Sequence, residues 1–143
     1  MNEHFRKLEH MYSTAPVNQF YNPTMLVEES KATISIVTEE KHYHAANAVH
    51  GSIYFKMLDD AAFFAAQSAV EDVFVLTTQF NLYLVRPIFS EKIVSVGEII
   101  SRTKTSIIAE SKLINEKGKI LATGRGSFAL GKTALTADIG YHL

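Results

Sequence analysis

The stretch from Asn47 to Val70, NAVHGSIYFKMLDDAAFFAAQSAV, decides how the rest of the chain must be arranged. From Ser52 onward it is rich in alanine and free of glycine and proline. Gly51-Ser52 supplies an N-cap, so the composition predicts one long helix over 52–70. Spacing the residues by about 100° gives a very wide apolar surface that includes Ile53, Tyr54, Phe55, Met57, Leu58, Ala61, Ala62 and Phe64. Only Lys56, Asp60 and Gln67 are left as a narrow wet stripe. A helix apolar around most of its girth is buried on several sides, so other elements must wrap it.

The flanks supply the wrapping. Phe5, Leu8 and Met11 or Tyr12 fall at one-turn spacing, which predicts a short helix over 2–12 that stops before Pro16. Met25–Glu29 reads as a strand, and Ala32, Ile34 and Ile36 alternate with Thr33 and Ser35 in a clearer one. A His- and Ala-rich loop, 42–50, leads to the central helix. Beyond it come strands at Val73–Val85, Ile93–Thr103, Ser106–Ile114 and Lys119–Leu130. The last two are joined by the tight turn Asn115-Glu116-Lys117-Gly118. The tail, 133–143, carries no clear signal. Strand, central helix, then antiparallel strands predict an α+β domain in which a curved antiparallel sheet surrounds the helix.

At 143 residues the chain fits a single domain, 1–143. Hydrophobic residues at 47% and charged ones at 20% are a globular balance, which argues against long disorder. A net charge of −1 with mixed signs offers no basic patch for nucleic acid or an anionic membrane. The absence of cysteine excludes disulfides, thiolate nucleophiles and Cys-based zinc sites. Residues 1–7 lack the apolar core of a signal peptide, and no stretch of 18 apolar residues exists, so a cytoplasmic location is expected.

Chemistry concentrates where the loop enters the helix. At Gly51 unpaired backbone N–H groups and the positive end of the helix dipole suit a developing oxyanion. Two turns on, Asp59 lies at the border of the apolar surface, where partial desolvation raises a carboxyl pKa and makes a competent base. Asp60 falls on the wet stripe beside its i,i+4 partner Lys56. Of the two adjacent aspartates, Asp59 is therefore the candidate and Asp60 belongs to the surface. His50 is expected to fix the turn through hydrogen bonds.

His50-Gly51-Ser52, followed by Leu58-Asp59 and Ala61-Ala62, resembles the signature of hotdog-fold thioesterases of the PaaI-like, phenylacetate-pathway group. That pattern is His-Gly-Gly, a Leu-rich helix, and an Asp or Glu nine positions after the His. The long strand that closes at Arg86-Pro87 and the segment Gly118–Gly124 resemble the same family, and the likeness spans roughly residues 30–131. It implies a hotdog fold and hydrolysis of an acyl-CoA or related thioester. It also implies Gly51 N–H as oxyanion donor, Asp59 as general base or as nucleophile, and Thr77 as the hydroxyl that orients water or carboxylate. His50 joins this catalytic set. Substrate contacts are expected from His44, Asn47, Ser52, Phe55, Phe63, Asn81 and Tyr83, with Phe55, Phe63 and Tyr83 lining an apolar acyl pocket. The site would be shared across a homodimer, alone or in a dimer of dimers, with Asp59 and Thr77 facing the other chain's Gly51. Two positions depart from the pattern. Ser52 replaces the second glycine, and His44 stands where a polar residue, often Asn, precedes the His by six.

Other chemistries fit less well. His42, His44 and His50 near Asp59 are proper metal-ligand types, but their spacing matches no compact ligand motif, and no metal or other cofactor is expected. A non-catalytic acyl-CoA sensor is the alternative reading. A hotdog dehydratase lacks its His-Phe-Pro-like loop here. A Ser-His-Asp hydrolase lacks its Gly-x-Ser-x-Gly elbow. Gly124-Arg125-Gly126 lies within a strand, where glycine marks close packing or a bulge.

Overall fold

The computed structural model describes residues 2–143. Two helices, α1 (Asn2–Thr14) and α2 (Asn18–Tyr21), lead into strands β1 (Thr24–Glu28) and β2 (Lys31–Val37). A 3₁₀ turn, Glu40–His42, and a loop precede the central helix α3 (Gly51–Gln67). Strands β3 (Val73–Leu84), β4 (Lys92–Arg102), β5 (Ser106–Asn115) and β6 (Ile120–Ala134) follow, with a 3₁₀ turn at Ala137–Ile139. All the pairings are antiparallel, and the sheet order is β1-β2-β4-β5-β6-β3. The sheet curves round α3, which touches every strand. This is the hotdog architecture expected from the sequence.

Helix α3 is the core's axis. Ile53, Met57, Leu58, Ala61, Ala62, Ala65 and Ala66 are buried along it. At Gly97 of β4, an added Cβ would collide with the helix backbone at Ala61, so glycine there sets how closely sheet and helix approach. Ser111 of β5 donates to the Leu58 carbonyl at 2.7 Å, tying sheet to helix inside the core. Phe80 lies over Gly124 and Gly126, so these glycines mark the close packing anticipated for them.

Three details depart from the sequence reading. Helix α3 ends at Gln67 rather than near 70, and Gln67 is fully buried instead of belonging to the wet stripe. Its amide donates to the Val70 and Val73 carbonyls and accepts from Val75 N–H, all at 2.9 Å. Those contacts satisfy the turn between α3 and β3 from within, as burial requires. Asp60 is half-buried, because Tyr12 of α1 reaches across α3 and donates to its carboxylate at 2.7 Å. The tail without signal is ordered against α1. His4 Nδ1 lies 2.6 Å from Tyr141 Oη, and His10 Nδ1 donates to the Gly140 carbonyl at 2.8 Å.

Candidate active site

Helix α3 and strand β3 run side by side in opposite directions. Gly51 lies beside Leu84, Phe55 beside Phe80, Asp59 beside Thr77, and Phe63 beside Phe74. Because β3 is an edge strand, this row of helix side chains stands at an open margin of the sheet.

Asp59 holds the centre of that row. Thr77 Oγ1 donates to Asp59 Oδ1 at 2.9 Å, which fixes the carboxylate's rotation. Burial pushes its pKa up to about 6, and the neighbouring Asp60 adds to the rise, while the Thr77 hydroxyl and Lys56 oppose it. The carboxyl therefore changes charge near neutrality, the range useful for proton transfer. Asp60 is occupied elsewhere, by Tyr12 and by the Lys56 ammonium. The expected separation of the two aspartates thus holds in direction, although Asp60 anchors α1 rather than decorating the surface.

At the other end of the row the helix opens on His50. Ser52 N–H donates to His50 Nδ1 at 3.0 Å, and the Ser52 hydroxyl lies 2.8 Å from the same nitrogen. An Nδ1 that accepts an amide carries no proton, so the neutral ring holds its hydrogen on Nε2. His50 is the N-cap of α3. Among the described residues no acceptor stands on the Gly51 N–H. Gly51 borders a concavity of about 460 Å³ with His44, Tyr54, Leu84, Arg86 and Pro87. Arg86 is held there through its carbonyl, which accepts from Tyr54 Oη at 2.7 Å.

The remaining expected site residues distribute unevenly. His44 faces the Gly51 concavity, with Nδ1 accepting from Ala46 N–H. Asn47 takes a left-handed conformation, φ 64°, which Asn tolerates well, and its N–H closes a turn on the His44 carbonyl. Its place in the loop is that of a turn former. Phe55 is exposed beside Phe80, on the Asp59 side. Phe63 is buried in an aromatic cluster with Phe64, Phe74 and Phe128, so it belongs to the core. Asn81 and Tyr83 correct the expectation. Successive strand residues face opposite ways, and with Phe80 turned to the helix these two point to the far face. There they share a cleft with Glu98, Glu110 and Arg125, across the sheet from Asp59.

Among the described residues no three His, Asp or Glu side chains converge as metal ligands. His42, His44 and His50 each spend Nδ1 on a backbone N–H, of Glu39, Ala46 and Ser52 respectively. No helix is long and apolar enough to cross a membrane.

A hotdog sheet, a helix opening on a free glycine amide, and an acid raised into the working range define a thioester-hydrolase type of fold and site. The profile of the thioesterase superfamily matches residues 46–122, and the chain belongs to that superfamily. A Saccharolobus solfataricus protein named as a candidate esterase is 20% identical over 137 residues, covering 96% of this chain and 94% of that one. The Escherichia coli PaaI protein of the phenylacetic acid degradation operon superposes with a TM-score of 0.86 at 15% identity, over 94% of this chain and 98% of that one. Zebrafish thioesterase superfamily member 2 gives 0.76 at 18% identity, over 89% and 95%. At these identities the structural likeness speaks for the fold.

Proposed function

We propose that the protein hydrolyses an acyl-CoA or closely related thioester to free acid and thiol, in a site that two copies build together. The observation that carries this reading is the Asp59 carboxylate, raised to about 6 and oriented by Thr77 on the open side of α3. In its ionised form it can take a proton from water as the water attacks the thioester carbonyl, or attack that carbon itself. The Gly51 N–H then receives the developing oxyanion, with His50 capping the same helix turn and holding the loop in place.

One protomer cannot supply both groups. Gly51 and Asp59 are eight residues apart on one helix, about 12 Å at about 1.5 Å per residue, too far to enclose one carbonyl. A second copy laid against β3 would bring its own Gly51 to Asp59. The sheet favours that edge. The other one, β1, is closed by α1: Arg6 donates to the Val27 carbonyl and Glu9 accepts from Val27 N–H, each at 2.8 Å. Strand β3 has no such cover among the described residues, and Leu76, Tyr83, Leu84 and Val85 are exposed along it and just beyond.

The test is thiol release across a panel of acyl-CoAs, with Asp59→Asn and Asp60→Asn beside the unaltered chain. Asp59→Asn should lose about 10²-fold or more, the scale for removing a general base, while Asp60→Asn stays within a few fold of the unaltered chain. Full turnover in Asp59→Asn would take the carboxylate out of the mechanism.

A further inference from the structure

Beside the Phe63–Phe74 contact an apolar groove of about 810 Å³ opens between the end of α1, the C-terminal 3₁₀ turn and β3. Met11, Pro16, Phe74, Leu76 and Ile139 supply its apolar walls. From the geometry we infer that this groove receives the acyl part of the substrate, and that the acyl group is uncharged, apolar and of medium size. The inference rests on the thioesterase reading above and names its substrate class.

Position is the first argument. Phe63 stands one turn beyond Asp59 on α3, about 6 Å along the axis, and its ring meets Phe74 with centroids 5.1 Å apart. Leu76 adjoins Thr77, the hydroxyl on Asp59. A thioester whose carbonyl sits at Asp59 therefore has this groove within reach of its acyl end. Chemistry is the second argument. The lining contains no Lys or Arg, and its one full charge is the carboxylate of Asp138. Coenzyme A phosphates would gain nothing there, and a dicarboxylic acyl group would meet repulsion and desolvation. The concavity beside Gly51 has the opposite character, carrying Arg86 and His44. The two hollows divide a thioester between them, apolar acid to one side and anionic thiol carrier to the other.

Size is the third argument. About 810 Å³ lies within the range of pockets that enclose drug-sized ligands, and it exceeds what an acetyl group could use. The walls from α1 and from the tail lie outside residues 46–122, the part that matches the superfamily profile. Substrate choice is thus built from segments added around the shared catalytic core. Tail and helix are fastened to each other by the Tyr141 contact on His4 and by His10 on the Gly140 carbonyl, which keeps the groove's width fixed.

The experiment compares kcat/KM for decanoyl-, acetyl- and glutaryl-CoA in the unaltered chain, in Ile139→Trp and in Ile139→Ala. Calorimetric binding of the non-hydrolysable S-decyl thioether of CoA runs alongside, and Val37→Trp on β2 serves as a distant control. Decanoyl should be preferred to both others, and Ile139→Trp should cut the decanoyl-to-acetyl ratio at least tenfold and weaken thioether binding to match. Ile139→Ala carries the test if the tryptophan variant does not fold, through a changed preference for acyl length. An unmoved ratio and unmoved binding in a folded Ile139→Trp or Ile139→Ala variant would overturn the proposal, as would a preference for glutaryl-CoA. If no thioester is hydrolysed but the thioether binds and Ile139→Trp abolishes binding, the groove assignment stands and the hydrolase reading falls. Absence of both turnover and binding overturns the two together.

Discussion

Asp59 combines two opposing demands in one side chain. Burial raises its pKa to about 6, which suits proton transfer, yet above that pH the folded chain must hold a half-buried negative charge. The unfolded carboxyl titrates near 3.9. A group whose pKa is higher when folded binds its proton more tightly in the native state. Its stabilising effect is therefore present below about 4 and is lost as pH rises through about 6. Asp59→Asn removes that loss while leaving an oxygen for Thr77 to bond. The variant should melt a few degrees above the unaltered chain at pH 8, and the gap should close by about pH 4. Over the same range kcat/KM of the unaltered chain should climb to pH 6 and then level. Identical melting curves at pH 8 would mean that the charge is better solvated than its position indicates.

At the scale of elements, the start of α3 separates what folding needs from what chemistry needs. Gly51 has no positive φ, and a Cβ built on it would meet only Leu84 Cδ1, at an ordinary 3.5 Å. Nothing within the protomer requires a glycine there, and alanine is the better helix former by up to about 1 kcal/mol. Gly51→Ala should thus keep or slightly raise the melting temperature. Its methyl would crowd the approach to the amide, so kcat/KM should fall about tenfold or more; an unchanged rate would remove the amide from the site. The helix, the strand order and the Gly51–Asp59 spacing were legible in the sequence because period and composition are local signals. What was not legible came from distant partners. Gln67 looked wet because its amide is polar, and only the fold brings Val73 and Val75 to it. Asp60 looked exposed because Tyr12 lies 48 positions away. Asn81 and Tyr83 were placed at the substrate because they share the strand of Thr77, but strand alternation and the irregularity between Thr77 and Gln79 turn them to the far face.

For the whole molecule the geometry of one protomer restricts how a second can join it. Asp59 lies beside Thr77, and Gly51 beside Leu84. If the acid of one copy is to face the glycine of the other, Thr77 must come opposite the neighbourhood of the other Leu84. Two β3 strands related by a twofold axis are antiparallel, so that pairing centres on Phe80 or Asn81. Any other register, or pairing through the α1-covered β1 edge, leaves each acid without an amide. A cysteine at position 81 tests the register directly, since opposite Cβ atoms in such a pair lie about 4.5–5.5 Å apart, close to the span of a disulfide. The chain contains no cysteine of its own, so Asn81→Cys introduces a single thiol. Mild oxidation should convert it to a covalent dimer that keeps activity, because the crosslink lies on the sheet face away from Asp59. Lys132→Cys, on the distal part of β6, should remain monomeric on a denaturing gel. Crosslinking at 132 and none at 81 would place the contact elsewhere and break the shared-site geometry.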